Sequence, residues 1–401
     1  MDFSEYAELD AIALAEQIST GEVSAAEVEA VARDAIDEKN PLLNAVISTV
    51  EGQPSGDGPL SGVPFLVKEL VLHAEGVPCR SGSRALPDMP MPHDTELMTR
   101  FRKAGLNLIG STQTPEVGYN ATTETEAFGP VHNPWKAGFS AGGSSGGSGA
   151  AVAAGLVPVA HANDGGGSIR IPASCNGLVG LKPTRDRTPT GPDYSDPLFG
   201  HGIEFVVSRS VRDSALLLDE VAGPDLGAPH SIAPPPTSFM ASASAAPEKL
   251  RIAIQRGSLL GVPMHEEALR AVENTATLLI ELGHEVVESS LQFDFDEFAQ
   301  HVNSLWCAFV AEFIHEVSRL FGCSADNEHF EAVTLSCAEF GASMTALDLI
   351  GALNYVNRIS RETASEFQNF DLLVTSTTCA PPPVHGTLNQ NDPGLGALEW
   401  T

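Results

Sequence analysis

Seven small residues, Gly142-Gly143-Ser144-Ser145-Gly146-Gly147-Ser148, lead without a break into Ala150-Ala151-Val152-Ala153-Ala154, a helix-forming run. A flexible linker has no reason to end in a helix, so these glycines read as a tight turn at a helix N-terminus. That turn sits inside a longer alternation. Ser24 and Glu27 form a capping-box pair, flanked by Val23 and Val28 at staple spacing, and open a helix through about residue 37. Residues 63–67 form a short apolar run suited to a buried strand that delivers Lys68 at its end. Helix over 93–104, strand over 106–109, helix over 145–154 and strand over 156–160 follow. The pattern predicts an α/β fold, a central mixed sheet with helices on both faces.

Length allows one large α/β domain or two ordinary ones, and a single domain over 1–401 is the expectation. Residues 1–222 would hold the core, and 223–249, with Pro234-Pro235-Pro236 and Ser/Ala-rich flanks, a linker. Residues 250–401 would form a second αβ part: strand 250–254, helix 265–282, strand 285–288, a mostly helical stretch over 294–368 and strand 372–375. The last residues, from about 385, show no packing pattern.

The formal net charge is −30, with few lysines. Such a surface repels phosphate backbones and anionic lipid, which argues against nucleic-acid or membrane partners. Six scattered cysteines without a C-x-x-C pair suggest reduced thiols. The acidic first 29 residues lack an apolar stretch, and the apolar run 150–160 is interrupted by Gly155 and Pro158. A cytoplasmic location is the expectation.

The chemistry concentrates in residues 133–184. A phosphate-binding loop would need Lys then Ser/Thr after its second glycine, and none is there. Gly142-x-Ser144-x-Gly146 formally fits a nucleophile elbow, yet residues 136–141 make a poor strand to feed one. A second cluster, Asp164-Gly165-Gly166-Gly167-Ser168-Ile169-Arg170, offers a different arrangement. Amide hydrolysis needs an activated nucleophile, a site for the developing oxyanion and a proton for the departing amine. Three glycines before Ser168 let backbone N–H groups approach a carbonyl oxygen, and Ser144 sits where helix N–H groups favour negative charge.

At these residues the chain resembles the amidase signature family. Gly142–Ser148 matches its G-G-S-S-G-G-S pattern, Asp164–Pro172 its D-x-G-G-S-I-R-x-P pattern, and Gly180-Leu181-Lys182-Pro183-Thr184 its G-x-K-P-T pattern. Gly62-Val63-Pro64-Phe65 leading to Lys68 matches its lysine-bearing strand, and the two serines keep the family spacing of 24 residues. The resemblance implies a cofactor-independent amidase without a metal. In it Ser168 attacks the carbonyl, Ser144 relays the proton and Lys68 is the base. A cis peptide would precede Ser144, and an oxyanion hole would be formed by Gly165, Gly166, Gly167 and the Ser168 N–H. Gly143, Ser145, Asp164 and Arg170 would support this machinery. Asn163 and the Trp135 region are similar to members that hydrolyse cyclic amides such as nylon-oligomer dimers.

Small amides, esters, anilides or carbamates (urethanes) would be substrates, and the protein a monomer or homodimer. An amidotransferase subunit and a non-catalytic relative are the alternatives. Glu69 stands where the family usually has Asp, and two family segments expected beyond residue 386 are not found. The expectation is a C-terminally shortened member. His284-Glu285 lacks the second histidine of a zinc motif and reads as a strand start. Cys175 and Cys307 read as packing residues.

Overall fold

The structure is a computed structural model that describes residues 1–53, 56–259, 261–291 and 293–397. The capping box at Ser24 is present: Glu27 N–H donates to Ser24 Oγ at 3.2 Å, and Ser24 N–H donates to Glu27 Oε2 at 2.9 Å. It opens the helix Ala25–Leu43, which buries Val28, Ala32, Ala35 and Ile36 along one stripe.

Six strands make the main sheet, in the order Val46–Gln53, Asn107–Thr112, Pro64–Lys68, Val159–Asp164, Ile203–Ser208, Val179–Gly180. The Pro64–Lys68 strand lies at its centre, parallel to both neighbours, and the outer pairings are antiparallel. Every residue of Pro64–Lys68, Asn107–Thr112, Val159–Asp164 and Ile203–Ser208 is buried. Continuous burial is what helices on both faces impose. The helix Gly146–Ala153 lies across these strands, while Phe65 meets Phe101 of the helix Glu96–Lys103 with ring centroids 5.0 Å apart.

Residues 251–374 add a separate sheet rather than extending the first. Arg251–Ile254 runs parallel to both Glu285–Glu288 and Leu372–Val374, with the helix Glu266–Glu281 as crossover. Three helices, Phe295–Phe321, Ala332–Ser343 and Ala346–Glu366, fill the predicted helical stretch. No single helix among the described residues is long and apolar enough to cross a membrane. The linker region contains a short helix, Phe239–Ser244, capped by the Ser238 hydroxyl.

Three sequence expectations are corrected. Lys136–Ser140 is a strand after all, paired with His132–Asn133 in an exposed hairpin detached from the main sheet. The strand expected over 156–160 spans Val159–Asp164, because Pro158 lacks an N–H for the ladder and His161 and Asn163 are accommodated inside. The tail does pack: Asn120 Nδ2 donates to Leu388 O at 3.0 Å, and buried Gln390 donates to Glu116 O and Thr334 Oγ1.

Candidate active site

Lys68 ends the central strand, and its side chain is fully buried. Its Nζ is hydrogen-bonded to Ser144 Oγ at 2.7 Å and donates to Asn163 Oδ1 at 2.5 Å. Burial disfavours the ammonium form and pulls the Lys68 pKa down to about 7, against the pull of Glu204 and Asp164 in the other direction.

Ser144 comes from the turn before the helix Gly146–Ala153, and the Gly143–Ser144 peptide bond is cis. Only glycine fits at 143. A Cβ there would stand 2.5 Å from Thr122 O and 2.6 Å from Asn120 O. Ser145 ties this turn to its surroundings. Its Oγ donates to Asn163 O at 3.2 Å, and its N–H donates to Ser168 O at 3.3 Å. Gly143 and Ser145 thus flank Ser144 in a tightly packed turn.

Ser168 lies in the loop between the strand Val159–Asp164 and the helix Arg170–Asn176, 8% exposed. The Asp164 carboxylate organises that loop. It accepts from the N–H groups of Gly167 at 2.8 Å and Ile169 at 3.2 Å, and from Arg170 through two bonds of 2.8 Å. Burial alone would raise the Asp164 pKa, but the Arg170 guanidinium and the backbone donors hold it below the ordinary carboxylate value.

This geometry changes one expectation. The Gly167 N–H, expected among the oxyanion donors, is instead committed to Asp164. The role of Gly167 is conformational: its φ of +135° suits glycine, and a Cβ would come within 2.7 Å of Ile171.

Ser144, Asn163, Gly165 and Ser168 line a narrow cavity of about 30 Å³, enough for about one water. Leu70, Val117, Leu198, Trp306 and Phe309 close it with apolar surface. Trp306 and Phe309 arrive from the helix Phe295–Phe321, held to the core where Tyr119 donates to Asn303 Oδ1 at 2.5 Å. A separate, larger cleft of about 800 Å³ is bordered by Gly166, Gly167, Arg170, Ile171, Phe298 and residues 373–379. Cys175 is half-buried, with its thiol pushed up to about 11 by burial, and Cys307 is fully buried in an apolar cluster.

Two residues of this centre escaped sequence reasoning. His161 accepts from the Lys68 N–H through Nδ1 at 3.3 Å, and its Nε2 lies 2.8 Å from Glu204 Oε2. Both side chains are buried, and Glu204 sits opposite Asn163 in the strand register. A signal existed in the alternation of His161 and Asn163 with alanines, which puts two polar groups on one side of a buried strand.

Comparison with known proteins shows the family. A family profile described as Amidase matches residues 35–398. The chain is 39% identical over 287 residues to the 6-aminohexanoate-cyclic-dimer hydrolase of Paenarthrobacter ureafaciens, covering 69% of this chain and 58% of that one. To the acylamidase of Rhodococcus erythropolis it is 36% identical over 299 residues, 71% of this chain and 62% of the relative. A solved structure of 6-aminohexanoate cyclic dimer hydrolase superposes with a TM-score of 0.90 at 32% identity, covering 98% of this chain and 86% of that one. The chain belongs to the amidase family, the amidase signature hydrolases of amide bonds.

Proposed function

We propose that amide hydrolysis here proceeds through an acyl-enzyme on Ser168, with Ser144 as proton relay and Lys68 as base. The observation that carries this is the buried 2.7 Å contact between Lys68 Nζ and Ser144 Oγ at the wall of the cavity that holds Ser168. A neutral Lys68 amine gives one N–H to Asn163 Oδ1, which leaves its lone pair for the Ser144 proton. As Lys68 takes that proton, Ser144 takes the one from Ser168, and the Ser168 Oγ bonds to the substrate carbonyl carbon. The electron pair displaced onto oxygen faces the N–H groups of Gly165, Gly166 and Ser168. Collapse breaks the C–N bond, Ser144 hands its proton to the leaving nitrogen, and Lys68 reprotonates Ser144. Water then repeats the sequence on the ester and frees the acid.

The substrate class follows from the walls. The walls beside Ser168 carry Asp164 and Glu204 and no positive side chain, which disfavours a carboxylate there and favours an uncharged acyl portion. The likeness to a cyclic-dimer hydrolase supports uncharged secondary amides, and the same attack serves esters, anilides and carbamates. The protein works as a monomer or homodimer on small molecules.

The test is a panel of uncharged aliphatic amides, cyclic amides, anilides, carbamates and p-nitrophenyl esters, assayed with the native chain and Ser168→Ala. Turnover of at least one amide, abolished in the variant, is the expected outcome. Turnover that survives Ser168→Ala would overturn the assignment.

A further inference from the structure

Outside the catalytic cavity, three segments distant in sequence bring His73, His93 and Asp193 together. Their ligand atoms all lie within 4.8 Å of one another, and among the described residues no other such group of His, Cys, Asp or Glu converges this way. His73 Nδ1 is 2.6 Å from Asp193 Oδ2, and His93 Nε2 is 2.9 Å from the same oxygen and 3.0 Å from Oδ1. We propose that His73, His93 and Asp193 form a site for one divalent cation of the zinc class, which pins the 191–198 loop against the catalytic cavity.

The donor set supports that choice of ion. Two imidazole nitrogens and one carboxylate oxygen suit zinc and its neighbours, and three protein ligands leave further positions open to water. The side chains of His73, His93 and Asp193 are 15%, 45% and 24% exposed, so an ion can enter from the His93 side. Nor does the backbone need the ion to bring the ligands together. Thr95 N–H donates to His73 O at 3.0 Å, Glu96 N–H to Gly191 O at 2.9 Å, and Glu75 N–H to Asp94 Oδ1 at 2.7 Å. Ligands held by their own main chain lose little freedom on binding, which favours affinity.

The position gives the site a consequence. Leu70 and Val71 precede His73, and Pro197 and Leu198 follow Asp193; all four line the catalytic cavity. An ion at this point ties two walls of the cavity to each other and to the start of the helix Glu96–Lys103. The alternative is a His–Asp–His hydrogen-bonded clip that takes no metal.

Calorimetric titration of the chelator-treated full chain with Zn²⁺, paired with thermal unfolding, separates the two. We expect one tight equivalent of Zn²⁺ and a raised Tm. His93→Ala and Asp193→Asn should each weaken that equivalent by about tenfold or more and abolish the Tm rise. No Zn²⁺ binding to the native chain, or equal binding to the native chain and both variants, would overturn the site. Should a variant unfold, the Co²⁺ spectrum of the native chain decides. Mixed nitrogen and oxygen ligation supports the proposal, and thiolate charge-transfer bands contradict it.

Discussion

Lys68 can act as a base only if its ammonium form is made costly, and the strand that carries it does so by burying the whole side chain. Its pKa of about 7 is a balance: desolvation pushes it down, while the charges of Glu204 and Asp164 push it up. Glu204 Oε1 is buried with no hydrogen-bond partner among the described residues, so its charge is poorly screened. Activity should rise with pH through the Lys68 pKa, because the neutral amine is the working form. Glu204→Gln keeps an oxygen for His161 but removes the charge that favours the ammonium. The acid limb of kcat/KM should therefore move to lower pH in this variant, with the fold kept. An unmoved limb, measured on one amide from pH 5 to 9, would show that Glu204 does not tune the base.

Individual elements are held by buried polar groups as much as by apolar contact. Glu69, the residue after Lys68, has a fully buried side chain that accepts from Arg80 Nε at 2.9 Å, Arg80 Nη2 at 2.8 Å and Ser111 Oγ at 2.6 Å. Glu69→Ala strands a half-buried guanidinium beside the central strand. We expect a loss of about 3–5 kcal/mol in urea unfolding. Glu331, just before the helix Ala332–Ser343, presents the opposite case. Burial and the neighbouring Glu116 raise its carboxyl to about 8. Across the range from its unfolded value of about 4.3 up to that point, the folded chain binds more protons, so this group's share of stability falls as pH rises. Glu331→Gln should accordingly raise Tm relative to the native chain more at pH 9 than at pH 5.5, which thermal scans at the two values measure.

The elements that position the site were largely legible in the sequence, for physical reasons. An unbroken apolar run before Lys68 can only be a buried strand, and alanines behind the Gly/Ser turn can only extend a helix. The hairpin strand Lys136–Ser140 was not legible. It is exposed over residues 136–138, carries no apolar face and is secured partly by Lys136 Nζ over the Phe139 ring at 4.0 Å and partly by the distant Ser140 N–H to Pro383 O bond of 2.9 Å. Partners 240 residues away leave no local pattern. His161 and Glu204 were hidden for a related reason: a polar residue in a strand reads as exposed until its partner on the neighbouring strand is known.

At the scale of the whole molecule, the main sheet, its connecting loops and one long helix meet around one small cavity. The 191–198 loop, the helix Phe295–Phe321 and the strand ends each supply part of its wall. Around this lies a surface with a net charge of −30. Self-repulsion at that charge opposes the compact state and is screened by salt, with a Debye length of about 10 Å at 0.1 M and 3 Å at 1 M. Tm should therefore rise between 20 mM and 500 mM NaCl; a fall would mean that surface ion pairs outweigh the repulsion.

The central claim is that Ser168 is the nucleophile and that Lys68 activates it through Ser144. Mass-spectrometric mapping of the adduct formed by a fluorophosphonate probe tests it most directly, with the native chain compared with Lys68→Ala. The account predicts a single adduct on Ser168, formed orders of magnitude more slowly when Lys68 is replaced in a chain that still unfolds cooperatively. An adduct on Ser144, or labelling of Ser168 at an unchanged rate without Lys68, would contradict it.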